Sequence, residues 1–367
     1  PLASLVGDEK QGQRFLMPLV HYLYNPFHTK AQLYRMLKSV STHAVSFAVV
    51  SSAYDEARNF KRMAIEKLKE EYAKATDHAE DIHVVLLGRP YTVLSPPMNK
   101  GIPTILAALG IKTFFQDMLS YDPKALQASV PLLQTLHWHY AAAVLAAAVV
   151  VAQTPGGYPV FVTSFKCSPD AFAIDYFKKV MGAYGKPYLV LQVDEHAAAG
   201  GYETRIEAAI RSFRNHHNSQ PPGVPKTPGT YAPALIPIKK SVLLEKTLLM
   251  PNWDNLTLPL IVAALKTEGH DARLLEDTPT GIQKSLRHNT GQCIPLNIIA
   301  QDFIDYIEKH DLNPSKTVLW MAASSIACNI HLYPVHIRKT LEEYGKGMEH
   351  TGIYLGPISL QDLSIKL

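Results

Sequence analysis

The chain has 367 residues, a formal net charge of +4, 47% hydrophobic and 19% charged residues. That length holds two or three domains with their own cores, and no basic run with interleaved aromatics marks it for nucleic acid. Sparse, unpaired cysteines, three in all, argue against a disulfide framework and for a reducing cytoplasm, while the longest apolar tract, 141–152, is too short to span a bilayer.

No signal peptide is visible and the chain opens on Pro1, which reads as a piece of something longer. Residues 1–80 read as a helical N-terminal segment, with a short helix over 29–37 and a charged one over 55–74. Glu66, Lys67, Lys69, Glu70 and Glu71 of the second form a solvated face. At His83 the pattern changes. The apolar run 83–88 ends in Gly88, as a buried parallel strand does. Further strands are predicted at 112–115, 158–164 and 188–193, and helices at 101–109, 141–152, 170–185 and 202–213. A Pro-rich linker occupies 219–244. The alternation then restarts, with strands at 246–250, 272–275, 317–321 and 351–355 and helices at 256–268, 295–309 and 333–344.

The expected fold class is therefore α/β: two Rossmann-like, flavodoxin-like parallel-sheet domains facing each other, at 81–218 and 245–367, behind a helical segment. The repetition is architectural, without a clear sequence repeat. Alanine triplets at 141–143, 146–148 and 197–199 carry no functional information.

Each cysteine stands just before or at a predicted helix start: Cys167 in FVTSFKCSPD (161–170), Cys293 in NTGQCIP (289–295), Cys328 in SSIACNIH (324–331). Buried structural cysteines usually sit mid-element among apolar neighbours. Helix starts instead lower a thiol's pKa and hold anionic sulfur. The placement points to a shared metal or iron–sulfur site, and spacing alone leaves three unrelated thiols as an equal alternative, because no close CxxC pair exists.

Loops beyond the strand ends are the places for ligands in such sheets. They present Arg89 and Tyr91 as pocket residues, and Asp194, Glu195 and His196 as candidate catalytic groups for proton delivery or for orienting a substrate carboxyl. The plainer reading of that acidic loop is a cap on the helix from Tyr202 or a pairing with Arg205. GRPY at 88–91 lacks both GxGxxG and the phosphate-loop pattern. The cluster His137, Trp138, His139 and Tyr140 reads as packing, and His216 with His217 as a solvated helix end.

The cysteine contexts, together with HVVLLGRPY (83–91), MNKGIPTILAALGIKTFFQDML (98–119), YPVFVTSFKCSPDAF (158–172), GKPYLVLQVDEH (185–196), YETRIEAAIRSF (202–213), NTGQCIPLNIIAQDFIDYIEKH (289–310) and SSIACNIHLYP (324–334), resemble a known group. The chain resembles the large acyl-CoA dehydratase activase-related proteins, which belong with the 2-hydroxyacyl-CoA dehydratases and double-cubane cluster proteins. The likeness spans most of 83–355 and is weak over 1–80. It implies a cytoplasmic, oxygen-sensitive iron–sulfur protein, with Cys167, Cys293 and Cys328 as ligands of a [4Fe–4S] or [8Fe–9S] cluster. It also implies an ATPase activator, as partner or upstream domain, that injects low-potential electrons for chemistry on an acyl-CoA or small molecule. A homo-oligomer is expected as well, with neither nucleic acid nor membrane as partner. Two other readings compete: a docking scaffold for an activase or dehydratase, and a two-lobed small-molecule binding protein.

Overall fold

The computed structural model describes residues 16–20, 25–77, 81–136, 138–164, 169–194, 200–219, 238, 240–276, 278–288, 293–323 and 329–357. The chain divides into two compact units, Pro1–Ala75 and Thr76–Leu367. In the first, helix α1 (Phe27–Val40) lies against helix α2 (Phe47–Thr76). Phe47 packs on the rings of Phe27 and Tyr34, with centroids 5.6 and 5.8 Å away, and Lys30 reaches Asp55 at 2.7 Å. Helix α2 begins eight residues before its charged pattern does, because 47–54 (FAVVSSAY) is a helix-compatible run that supplies this packing face.

The second unit holds both sheets. β1 (His83–Leu87), β2 (Lys112–Phe115), β3 (Gly157–Thr163) and β4 (Leu189–Gln192) are all parallel in the order β2-β1-β3-β4. Every residue of β1 and β3 is buried, as apolar runs without alternation predict, whereas β2 and β4 stand half-exposed at the edges. Crossover helices cover the faces: α3 (Ile102–Ala108), α4 (His139–Gln153), α5 (Pro169–Tyr184) and α6 (Gly200–Ser219). On one face Ile102, Leu106, Ile206, Ile210 and Phe213 pack onto Val84, Leu86, Val160 and Val162.

The second sheet repeats the plan. β5 (Thr247–Met250), β6 (Asp271–Leu274), β7 (Thr317–Ala323) and β8 (Gly352–Pro357) are parallel in the order β6-β5-β7-β8. Their helices are α7 (Thr257–Thr267), α8 (Ile294–Lys309) and α9 (Tyr333–Tyr344). The two parallel-sheet α/β expectation holds, and the paired strand orders extend the architectural repeat. Most of the Pro-rich linker, 220–237 and 239, lies outside the described residues.

Helices α5 and α9 join the two sheets. Both are buried on all sides, through every residue from 170 to 177 and from 333 to 341. Phe172 meets the edge of the His336 ring at 6.0 Å, and Asp175 accepts two hydrogen bonds from Lys339 Nζ at 2.7 and 2.8 Å. Both contacts pair residue i with i+164, so the helices run side by side in the same direction with their N-termini level. A helix buried all round must satisfy its polar groups internally. Arg338 does so by donating to the carbonyls of Glu349 and Thr351, and Thr340 by donating to that of His336. Among the described residues no helix is long and apolar enough to cross a membrane.

Candidate functional site

In each sheet the strand order reverses beside the first strand, so the crevices for ligands open between the ends of β1 and β3 and of β5 and β7. In the first crevice Gly88 leaves β1 with φ +152°, and its N–H donates to Gln116 Oε1 at 3.1 Å. The expected loop at 88–91 continues into a helical turn at Pro90–Val93, because a proline at the first helical position is already shaped for it. Arg89 donates from Nε to Asp170 Oδ1 at 2.8 Å and from Nη1 to the Tyr91 hydroxyl at 2.9 Å. Thr163, the last residue of β3, donates to Asp170 Oδ2 at 2.8 Å. Burial alone would lower the Arg89 pKa, but Asp170 and Tyr91 outweigh it and hold it above the ordinary value. Arg89 thus clamps the first turn of α5 over the crevice, and Tyr91 stays half-exposed beside it.

Cys167 and Cys328 lie outside the described residues; Cys293 lies within them. It is half-buried at the N-cap of α8, where the Tyr333 hydroxyl donates to its Sγ at 3.2 Å. Tyr333 is the first residue of α9. Since α9 and α5 are level at their N-termini, the starts of α5, α8 and α9 gather at one place. The thiol there stands at the start of α8 and meets a hydroxyl donor from the start of α9. Among the described residues no three His, Cys, Asp or Glu side chains form a metal-binding group. The groups that are present fit a sulfur-held anion: a sulfur at the helix start that accepts a hydrogen bond from Tyr333, with the buried polar groups of Asn297 and His336 left without hydrogen-bond partners among the described residues.

Those polar groups went unnoticed in the sequence. Along α8, Cys293, Asn297 and Gln301 follow at i, i+4 and i+8, a polar line down a helix that otherwise buries Leu296, Ile299, Ala300, Phe303 and Ile304. Gln301 pairs with His288 at 2.9 Å and Asp305 at 2.8 Å. Among the described residues, Asn297 has no hydrogen-bond partner on either amide atom, and His336 Nε2 has none either. Burial lowers the His336 pKa to about 4; Asp175 pulls it up, while Lys339, Lys179 and His288 push it down. The signal that could have found Asn297 was that i+4 spacing from Cys293.

Of the acidic loop, Asp194 is described, and Glu195 and His196 lie outside the described residues. Asp194 is exposed and its Oδ1 lies 3.4 Å from the Tyr202 hydroxyl, on α6; Arg205 donates instead to the Val190 carbonyl. His216 bridges the Tyr158 hydroxyl at 2.8 Å and the Gly185 carbonyl at 3.1 Å, so it is a packing residue rather than a solvated helix end. Trp138 packs on Phe172, in keeping with the structural reading of its cluster, and His137 lies outside the described residues. A surface hollow of about 600 Å³ near Met181, Lys186, Asn215 and His216 is the other concavity of note. Lys186 is not free to serve it, since its ammonium donates to the carbonyls of Val151 and Thr154 at the end of α4.

Residues 2–119 match the family described as "CoA enzyme activase uncharacterised domain". The match supports a CoA-activase-related family. It covers about a third of the chain, taking in α1, α2, β1 and β2, and stops before every cysteine. All but the first of residues 1–80, where the likeness read from sequence is weakest, thus lie inside the CoA-activase-related match. No curated protein and no solved structure matches the chain.

Proposed function

We propose that the chain is an iron–sulfur component of a CoA-activase-type system, with Cys167, Cys293 and Cys328 as the cluster ligands. The observation that carries this reading is the gathering of the starts of α5, α8 and α9, fixed by the contacts of Phe172 with His336, Asp175 with Lys339 and Tyr333 with Cys293. In sequence Cys167 precedes α5 by two residues and Cys328 precedes the turn Asn329–Leu332 by one. At roughly 3.5 Å of chain per residue, both tethers are short. The CoA-activase match is consistent with an ATPase-activator and acyl-CoA context; that the activator is the electron source is part of the proposal.

When bound, such a cluster accepts and releases single electrons at low potential. The chain's own groups would do the rest. The three helix ends offset negative charge, the Tyr333 hydroxyl holds sulfur, and the Arg89–Asp170 clamp fixes the segment leading out of the Cys167 loop. Asp194, Glu195 and His196 are the proposed proton-handling groups.

Anaerobic reconstitution of the full chain with iron and sulfide, followed by iron counting and electron paramagnetic resonance of the reduced protein, tests the reading. Brown protein with stoichiometric iron is expected, with at least a tenfold loss of bound iron in Cys293→Ala. Colourless protein, with Cys293→Ala indistinguishable from wild type, would instead leave the docking scaffold. That alternative draws on a CoA-activase match that ends before all three cysteines.

A further inference from the structure

We propose that Asn297 and His336 are hydrogen-bond donors to the sulfur-ligated anionic group at Cys293, and that they raise its reduction potential. This inference rests on the cluster reading and deepens it.

Asn297 is 2% exposed and His336 3% exposed, yet both amide atoms of the first and Nε2 of the second have no hydrogen-bond partner among the described residues. Buried polar groups are nearly always hydrogen-bonded, and an orphan in a packed interior marks an absent ion, water or redox group. Their place in the fold says which. Asn297 stands one helical turn along α8 from Cys293, on the same face. His336 stands one turn along α9 from Tyr333, whose hydroxyl touches the Cys293 sulfur. Asn297 thus lies about 6 Å of helix rise from Cys293, and His336 about 4.5 Å of helix rise from Tyr333. One turn deeper on the same face, Gln301 is bonded to both His288 and Asp305.

The chemistry suits a donor role. His336 is neutral at neutral pH, so Nε2 can carry a proton toward an anion without adding a charge that the apolar surroundings would penalise. Phe172 holds its ring edge-on at 6.0 Å. Hydrogen bonds to cluster sulfur stabilise the more negative, reduced form, so donors raise the potential.

The test uses the full chain, reconstituted anaerobically, with redox titrations followed by electron paramagnetic resonance. Asn297→Leu and His336→Phe are expected to move the midpoint to more negative values while iron content stays at the wild-type level. The double variant should move it further, and His336→Gln, which keeps a donor, should return it toward wild type. In the metal-free protein, Asn297→Leu should melt at a higher temperature than wild type, because an apolar group of similar size replaces an unsatisfied amide. Iron-loaded variants with unchanged midpoints would overturn the inference alone, leaving the two groups to bind ordered water. A wild-type chain that takes up no iron would overturn the cluster reading and this inference with it, so the iron count separates the two failures.

Discussion

At Gly88, where β1 hands over to the Arg89 clamp, an added methyl group would sit 2.5 Å from the Val162 carbonyl oxygen and 2.8 Å from Val93, at a φ of +152°. Neither the backbone of β3 nor the conformation can give way cheaply. Gly88→Ala is therefore expected to cost about 2–4 kcal/mol in urea unfolding, and a loss below about 1 kcal/mol would show that the crevice relaxes around it. The glycine itself was legible as the end of a buried strand. Its reason was not, because the clash comes from a strand more than seventy residues away. The same holds for Arg89. Sequence placed it at a strand end suited to a pocket, and only its ion pair with Asp170 makes it a clamp.

Among the elements, α5 and α9 depend most on each other. Their joint carries a nearly solvent-free ion pair, with side-chain exposures of 10% for Lys339 and 8% for Asp175. Removing one partner strands a buried charge, so Lys339→Met is expected to destabilise the chain by about 3–5 kcal/mol in chemical denaturation. The double variant Asp175→Leu with Lys339→Met should recover most of that loss, since an apolar pair of similar volume is often neutral or better. A double variant as unstable as the single would mean that the pair does more than fill the joint. Apart from α2, which starts eight residues early, and α6, which runs six residues further, the longer helices were read from their spacing within a few residues, and the strands likewise, because burial on both faces of a parallel sheet leaves unbroken apolar runs. The shared register of α5 and α9 left no such trace, since Asp175 and Lys339 look like surface residues when each helix is read alone.

Across the whole molecule, acid should act on both sheet units together. Burial, with Lys186 and Lys112 adding to it, lowers the pKa of His83 on β1 to about 4, and burial lowers that of His336 on α9 to about 4. The unfolded chain takes up these protons near pH 6.5, whereas the fold refuses them until about pH 4. Stability from both is thus present above about pH 6.5 and is lost as pH falls toward 4, by up to about 3 kcal/mol per group. Urea midpoints measured across that window should fall steeply in wild type and less steeply in His83→Phe. An unchanged slope in the variant would mean that His83 is protonated within the fold. Apolar periodicity and strand–helix alternation by themselves determined that this chain builds two parallel sheets, because those signals are local and follow from burial. Which polar side chains are buried, paired or left unsatisfied beside Cys293 was decided only in the tertiary structure, because hydrogen-bond satisfaction depends on neighbours that the chain brings together from distant positions.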